Sequence, residues 1–341
     1  MIVATAQTSG GQASPVLVEQ AVRAAMDKAG VDRVDRVLLI LSKDFTPRLP
    51  ASLRAAASVA KCLQIDGFTA SGQMTEAGWQ LENAAVSVLI LADLPTQTAA
   101  PTASAAVQLS YSGQGRLALD WQSSKPRLGL IDEGRAWQHT REVADTRLEL
   151  AFPGLHCTPI VAHGLKILDP EQYVTASHGH ELIQLQSGKP VDSLLRLLPG
   201  ELRERPPIHQ LALWQEKVGA SCGVLALNSN GSMTLSSPLS TGNGFHWAIR
   251  QPLAAEQEMR QRLSSAVDGG IRPVFALMLS CIGRGPLFYG HDDCDLQAFR
   301  EYFPNVPLLG AYGIGQIVPS PQGNQLLQNA ALTLLYEEVH V

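Results

Sequence analysis

The sequence predicts an α/β protein of two pseudo-duplicated halves, with buried mixed sheets and helices packed on the outside. The chain has 341 residues, which exceeds the roughly 100–200 residues of a usual single domain, so two domains are expected. Hydrophobic residues make up 45% of the chain and charged residues 17%, a composition typical of a folded globular protein. The third observation is that one order of helices and strands occurs twice.

The first half alternates helical patterns with short apolar runs. An apolar stripe of helical period begins at Pro15, and Gly30 stands where a helix end is favoured. A continuous apolar run is the form of a strand buried on both faces. The predicted elements are a helix from Pro15 to Gly30, a strand over 36–41, a helix capped by Ser52 and running through Leu63, a strand and turn over 67–72, and a strand over 84–91.

The second half repeats this order. Its predicted elements are a helix over 254–267, a strand over 274–279, a helix over 296–302 and a strand from Leu308. The string GFTASGQM from Gly67 and the string GAYGIGQI from Gly310 share two glycines, a glutamine and an apolar residue at the same spacing. This match predicts an internal duplication in which strands 38–41 and 274–279 are equivalent.

The segment between the two halves is expected to be a polar loop over 99–106 and then mostly sheet over 107–187. Lys189 and Pro190 predict the start of a helix, because proline favours the first helical turn. The predicted domains are therefore 1–188 and 189–341.

Charge and cysteine usage narrow the function classes. A net charge of −5 and a pI near 6.0 argue against nucleic-acid partners. No apolar stretch approaches the ~20 residues of a membrane helix, and the N-terminus lacks a signal-peptide pattern. The five cysteines are widely spaced without C-x-x-C, so we expect a cytoplasmic protein with reduced thiols and with Cys281 buried and unpaired.

Four strings resemble the FIST family of sensory proteins, which have an N-terminal and a C-terminal half. The strings are GFTASGQ from Gly67, YVT from Tyr173 leading to Gly188 and Pro190, LSCIGRG from Leu279, and PLLGAYGIGQI from Pro307. The likeness covers nearly the whole chain, and SCIGRG followed by GAYGIGQI is its specific part. The sequence departs from the family at Gln316, where members commonly carry glutamate.

The resemblance implies a small-ligand sensory protein involved in signal transduction. Its ligand is expected at the interface of the two halves, with amino-acid-like or other anionic ligands, and haem as a possible cofactor. Output is expected through a separate protein such as a histidine kinase or cyclase. The N-terminal FIST domain corresponds to 1–188 and the C-terminal FIST domain to 189–341.

The string SCIGRG is the predicted recognition site. Arg284 lies between two glycines after a buried strand, so its planar guanidinium and neighbouring backbone N–H groups can converge on a carboxylate. The alternative is that Arg284 pairs with an acidic residue across the domain interface. The predicted ligand-binding residues are Ser280, Cys281, Gly283, Arg284, Gly285, Gly315 and Gln316.

Two other kinds of site stay open. Cys281 beside an arginine could be a nucleophile in an enzyme acting on a small carboxylate, although no sequence rule places a histidine near it. A haem needs an axial ligand and a large apolar pocket. His163, His178 and His209 are the candidates for that ligand. We expect binding rather than catalysis, and no metal site.

Overall fold

The structure is a computed structural model that describes residues 1–94, 109–123, 125–168, 170–321 and 323–339. The predicted loop over 99–106 lies outside these residues. The chain forms two compact units, one made of Met1–His163 with Met259–Val341 and the other of Gly164–Glu258. The predicted boundary between residues 188 and 189 falls inside the second unit, and as a division between family halves it stays a prediction.

The described residues contain many more strands than helices. The helices are α1 Pro15–Ala29, α2 Leu49–Ala60, α3 Leu119–Gln122, α4 Pro190–Leu197, α5 Gly200–Glu204, α6 Pro252–Asp268, α7 Pro286–Tyr289 and α8 Cys294–Tyr302, with 3-10 turns at Lys43–Arg48 and Ile208–Gln210. The strands are β1 Ile2–Gly10, β2 Arg36–Ser42, β3 Ile65–Ala70, β4 Gly72–Thr75, β5 Gly78–Gln80, β6 Ala84–Ala92, β7 Leu109–Ser112, β8 Gly129–Ile131, β9 Ala136–Gln138, β10 Arg141–Glu142, β11 Arg147–Leu150, β12 Leu155–Ala162, β13 Leu165–Ile167, β14 Gln172–His178, β15 Glu181–Leu185, β16 Leu211–Gln215, β17 Ala220–Leu227, β18 Met233–Leu235, β19 Gly244–Arg250, β20 Phe275–Cys281, β21 Leu308–Gly313, β22 Gly315–Ser320, β23 Gly323–Leu327 and β24 Ala331–Glu338.

The first sheet, sheet I, has the order β1-β6-β2-β3-β9-β10. The strands β2 and β3 run parallel, and the pairs β1–β6, β6–β2, β3–β9 and β9–β10 are antiparallel. One face packs on α1 and α2, whose apolar stripes supply Val18, Val22 and Leu53 to a core with Leu39 and Leu41. This packing stabilises both helices through burial of their apolar stripes.

The second sheet, sheet II, has the order β12-β24-β20-β21-β4-β5. Here β20 and β21 run parallel, and the other four pairs are antiparallel. Its outer face packs on α6 and α8 through Met259, Leu263 and Phe299. Sheets I and II therefore share one sequence of parallel and antiparallel pairings, with β2 and β20 third in each.

A third sheet joins the two halves within the same unit. Its order is β11-β7-β8-β22-β23, with β7 and β8 parallel. After β3, the last strand before Ser71, the chain leaves sheet I. The next strand, β4, pairs with β21 in sheet II, with Gly72 opposite Tyr312. The first half of the chain thus contributes two strands, β4 and β5, to sheet II.

The second unit is a small antiparallel barrel. The strands β14 to β19 close a ring of six, because β16 pairs with both β17 and β19. The interior is filled by a core that includes Leu213, Met233, Phe245 and Trp247. The predicted helix after Lys189 is confirmed as α4, with Pro190 in its first turn.

Most predicted elements are present, with one clear error. Gly30 ends α1 in a left-handed conformation, as expected, and Ser14 caps its start. Ser52 does not cap the second helix. The helix begins at Leu49 after a 3-10 turn, so Ser52 lies inside it, and its buried hydroxyl lacks a hydrogen-bond partner.

The other expectations tested by the fold concern cysteines and membrane helices. Cys281 is buried and free of a disulfide, as predicted. Among the described residues, no helix combines the length and the apolarity needed to cross a bilayer.

Candidate functional site

Four strand ends meet at one place in the first unit. The parallel pairs β2/β3 and β20/β21 both end here, and the carboxyl ends of parallel strands are where α/β sheets bind ligands. The backbone N–H of Ile314, after β21, donates to the carbonyl of Ile131 at 2.8 Å. Asp132 follows directly and bonds to Ser71, after β3. We call this region the strand-end junction, made of Lys43, Ser71 and Asp132 on one side and Cys281, Ile314 and Asn329 on the other.

A compact polar cluster forms the first side of the junction. The Lys43 ammonium donates to Asp132 Oδ1 at 3.0 Å and to Ser71 Oγ at 2.9 Å. Ser71 Oγ donates to Asp132 Oδ2 at 2.9 Å. The carboxylate is fully buried, whereas 41% of the Lys43 side chain is exposed. A buried anion therefore fixes the position of a cation that faces solvent.

Asp132 has its oxygens occupied by internal donors. Besides the two side chains, the backbone N–H groups of Ser71 and Glu133 donate to it at 2.7 Å and 2.8 Å. These bonds compensate for burying the charge. Asp132 is thus suited to positioning Lys43 and Ser71. An ammonium has three N–H donors, and acceptors among the described residues engage two of those on Lys43.

Cys281 and Ser280 lie on the other side, at the end of β20. The Cys281 thiol donates to the carbonyl of Ile314 at 3.3 Å, and Asn329 Oδ1 lies 3.9 Å from the sulfur. The buried Ser280 hydroxyl is 3.5 Å from the carbonyl of Cys281. Neither contact of the thiol is with a base, so these contacts do not support the cysteine-enzyme alternative.

Gly315 and Gln316 hold the junction together. With its amide oriented to satisfy both atoms, Gln316 donates to the carbonyl of Ala330 at 2.9 Å and accepts from the N–H of Cys281 at 2.8 Å. A Cβ on Gly315 would lie 2.5 Å from the carbonyl oxygen of Leu327. Both residues therefore contact neighbouring strands in this structure.

Arg284 is fully buried in a bidentate ion pair. Its Nε donates to Asp295 Oδ2 at 2.7 Å and its Nη2 to Asp295 Oδ1 at 3.0 Å, while Nη1 donates to the carbonyl of Ala162 at 3.1 Å. The planar fork that was expected to bind a ligand carboxylate is thus occupied by a carboxylate of the protein. The pairing is internal, as in the alternative, but Asp295 lies in the same predicted domain as Arg284 and not across the domain interface.

The two glycines beside Arg284 differ in environment. Gly283 is exposed and Gly285 is buried. A Cβ on Gly285 would lie 2.6 Å from the Tyr312 ring, so this position needs glycine for close packing. The predicted anion site at SCIGRG therefore becomes a buried ion pair under a tight loop.

The candidate haem ligands do not have haem-like surroundings. His178 and His209 are exposed and His163 is half-buried, whereas an axial ligand must face a large apolar pocket. Among the described residues, no group of three or more His, Cys, Asp or Glu side chains could hold a metal ion.

Sheets I and II enclose a small apolar cavity of about 10 Å³. Its lining includes Leu38 and Ile40 of β2 and Leu277 and Leu279 of β20. A cavity of this size has room for about one water molecule and offers it no polar partner. The inner faces of the two sheets thus form a packed core, and the polar groups lie at the strand ends.

Comparison with known proteins finds one domain match and several distant relatives. Residues 197–319 match the FIST C domain. The uncharacterized protein Mb0898c of Mycobacterium bovis is 24% identical over 220 residues, which is 58% of this chain and 56% of that protein. The uncharacterized protein MT0656 of Mycobacterium tuberculosis is 22% identical over 220 residues, 58% of this chain and 57% of its own length.

The chain spans a little over half the length of the curated relatives it matches. The FIST C match over residues 197–319 supports the resemblance seen in the sequence.

Sequence reasoning missed the cluster of Lys43, Ser71 and Asp132. Lys43 directly follows a buried strand, and Ser71 lies inside the string GFTASGQM, so both positions carried a signal. Asp132 follows the short apolar run 129–131, and nothing in the sequence pairs that run with β22. The position of Asp132, which holds Lys43 and Ser71, therefore could not be predicted from the sequence.

Proposed function

We propose that this protein is a small-ligand sensory protein that binds its ligand at the strand-end junction. The observation that carries the proposal is the convergence of two parallel strand pairs on a buried carboxylate that holds a partly exposed ammonium. The match of residues 197–319 to the FIST C domain supports the same proposal. Output passes to a separate signalling protein, such as a histidine kinase or cyclase.

The two halves of the first unit are proposed to be a pseudo-duplication, with the junction between them. Identical orders of parallel and antiparallel pairing in sheets I and II support this, as does the shared position of β2 and β20. A ligand between two repeats can shift their packing, because it stabilises whichever arrangement binds it better. The junction is thus a suitable place for a signal to begin.

The ligand is proposed to be a small anion, such as a carboxylate-bearing metabolite. Lys43 has one N–H beyond those given to Asp132 and Ser71, and it can donate this to an anion at the surface. Ser71 Oγ can accept one further hydrogen bond from the same ligand. We propose binding without turnover, since the contacts of Cys281 include no base.

The test uses native mass spectrometry and thermal shift with a panel of small carboxylates: acetate, L-lactate, succinate and L-alanine. Lys43→Met removes the charge and keeps most of the side-chain length. Loss of a charge-assisted hydrogen bond is expected to weaken binding by about 1.5–3 kcal/mol, or roughly tenfold or more. Lys28→Met is the matched control, because Lys28 is also partly exposed and paired with a carboxylate, Glu76 at 2.6 Å.

Each result has a distinct meaning. Binding that weakens in Lys43→Met and not in Lys28→Met supports the site, and binding unchanged in Lys43→Met refutes it while leaving a sensor elsewhere. No stabilisation or mass shift with any compound contradicts the anion proposal. Chemical change of a bound compound that disappears in Cys281→Ala would establish the enzyme alternative.

A further inference from the structure

A second cluster of charged residues lies under the SCIGRG loop, and its charges do not balance. Arg284, Asp293 and Asp295 are all fully buried. They carry one positive and two negative charges when ionised. Burying an uncompensated charge is expensive, so such a cluster favours gain of a proton.

The guanidinium is committed to one of the two carboxylates. Both Asp295 oxygens accept from Arg284, and Oδ1 also accepts from the Tyr289 hydroxyl at 2.9 Å. Asp293 instead accepts from the Tyr312 hydroxyl at 2.5 Å and from the backbone N–H of Leu296 at 2.9 Å. The hydrogen bonds that Asp293 accepts within the described part of the chain therefore come from neutral donors.

Asp293 connects three parts of the fold. It caps the N-terminus of α8 through its bond to Leu296. Through Tyr312 it reaches β21, and the Tyr312 ring is the group against which Gly285 packs. The protonation state of one side chain thus acts on a helix, a central strand and the loop 282–285.

We propose that Asp293 is a proton-operated latch that holds the loop and α7, residues 282–293, against α8 and β21. Uptake of a proton leaves Arg284 and Asp295 as a charge-matched pair and closes the segment. Loss of the proton leaves excess negative charge, which favours states in which Asp293 reaches water. The latch is independent of the ligand site proposed above.

The titration of Asp293 falls in a physiological range. Its pKa is raised from 3.8 to about 6, because burial and, to a smaller extent, the nearby charge of Asp295 raise it by more than the Tyr312 hydroxyl, the N–H of Leu296 and Arg284 lower it. The other groups around the cluster do not share this behaviour. Burial raises the pKa of the Tyr289 and Tyr312 hydroxyls, which stay neutral, and the hydrogen bond from Trp79 lowers the pKa of Asp292.

The direction of the pH effect follows from these values. Because the folded-state pKa is raised, the folded protein binds more protons than the unfolded chain between about pH 4 and 6. The stabilising contribution is complete below the unfolded-state pKa and is lost as pH rises through about 6. Opening of segment 282–293 is therefore expected to increase with pH in this window.

The test is backbone hydrogen exchange of segment 282–293 between about pH 4 and 8, corrected for the intrinsic pH dependence of exchange. In wild-type protein, protection is expected to fall by up to on the order of a hundredfold across the window, the change equivalent to a two-unit pKa difference. Asp293→Asn keeps the Oδ1 acceptor for Leu296 and mimics the protonated form, so its protection should not change with pH.

Asp292→Asn is the matched control. Its carboxyl is adjacent in sequence, but it bonds to Trp79 and Gln297 and its pKa is lowered, so the wild-type pH response should persist. Tyr312→Phe removes a hydrogen bond that lowers the Asp293 pKa, so the transition should move to higher pH. This second variant keeps the test available should Asp293→Asn fail to fold.

Two outcomes would overturn the latch. One is a segment whose protection has the same pH dependence in wild type and in Asp293→Asn. The other is a transition that stays at the same pH in Tyr312→Phe.

Discussion

Removal of the Arg284 side chain is expected to be among the most destabilising single changes in this protein. Arg284→Ala deletes two hydrogen bonds to Asp295, at 2.7 Å and 3.0 Å, and one to the carbonyl of Ala162 at 3.1 Å. Both members of the pair have 0% exposed side chains. The change leaves Asp295 and Asp293 buried without a cation, and breaking a buried pair in this way costs about 3–5 kcal/mol.

The assay is urea unfolding at neutral pH, with the free energy of unfolding compared between variant and wild type. Arg135→Ala is the control, because Arg135 pairs with Glu142 at 3.2 Å with side chains 50% and 42% exposed. Exposed pairs contribute only about 0–1 kcal/mol. A loss for Arg284→Ala no larger than the loss for Arg135→Ala would refute the assignment of Arg284 as a buried structural cation.

Two further predictions test the interior. Ser52→Ala is expected to raise the free energy of unfolding by about 1 kcal/mol, since it removes a buried hydroxyl without a partner and places a better helix former in α2; a loss of stability in urea unfolding would contradict this. Cys157 is expected to resist alkylation by iodoacetamide near pH 8, because burial raises its thiol pKa to about 12 and little thiolate forms. Peptide mass spectrometry that finds Cys157 modified as fast in native protein as in urea would rule this out.

The sequence indicates local elements well because their causes are local. Ser14 and Gly30 mark the ends of α1, and the apolar run after Arg36 marks β2. Ser52 misled because serine is a favoured N-cap residue, whereas the preceding 3-10 turn starts the helix earlier. Local patterns fail where the neighbouring turn decides the boundary.

The site was harder to predict because it depends on distant contacts. The motif SCIGRG was correctly singled out, but its arginine meets Asp295, a residue whose side-chain direction depends on the start of α8. Asp132 reaches Ser71 only because β8 pairs with β22. A single sequence carries no record of either pairing.

The pairing of β4 with β21 in sheet II has a consequence for synthesis on the ribosome. Gly72 pairs with Tyr312, and β24, which begins at Ala331, lies between β12 and β20. Early-made segments must therefore wait, with unpaired strand edges, until β24 has emerged. Long-range pairing of this kind is slow, and the exposed edges are prone to wrong association. The strands of the second unit, residues 164–258, pair only among themselves within the described residues. This unit is therefore expected to complete its fold while the first unit is still unfinished.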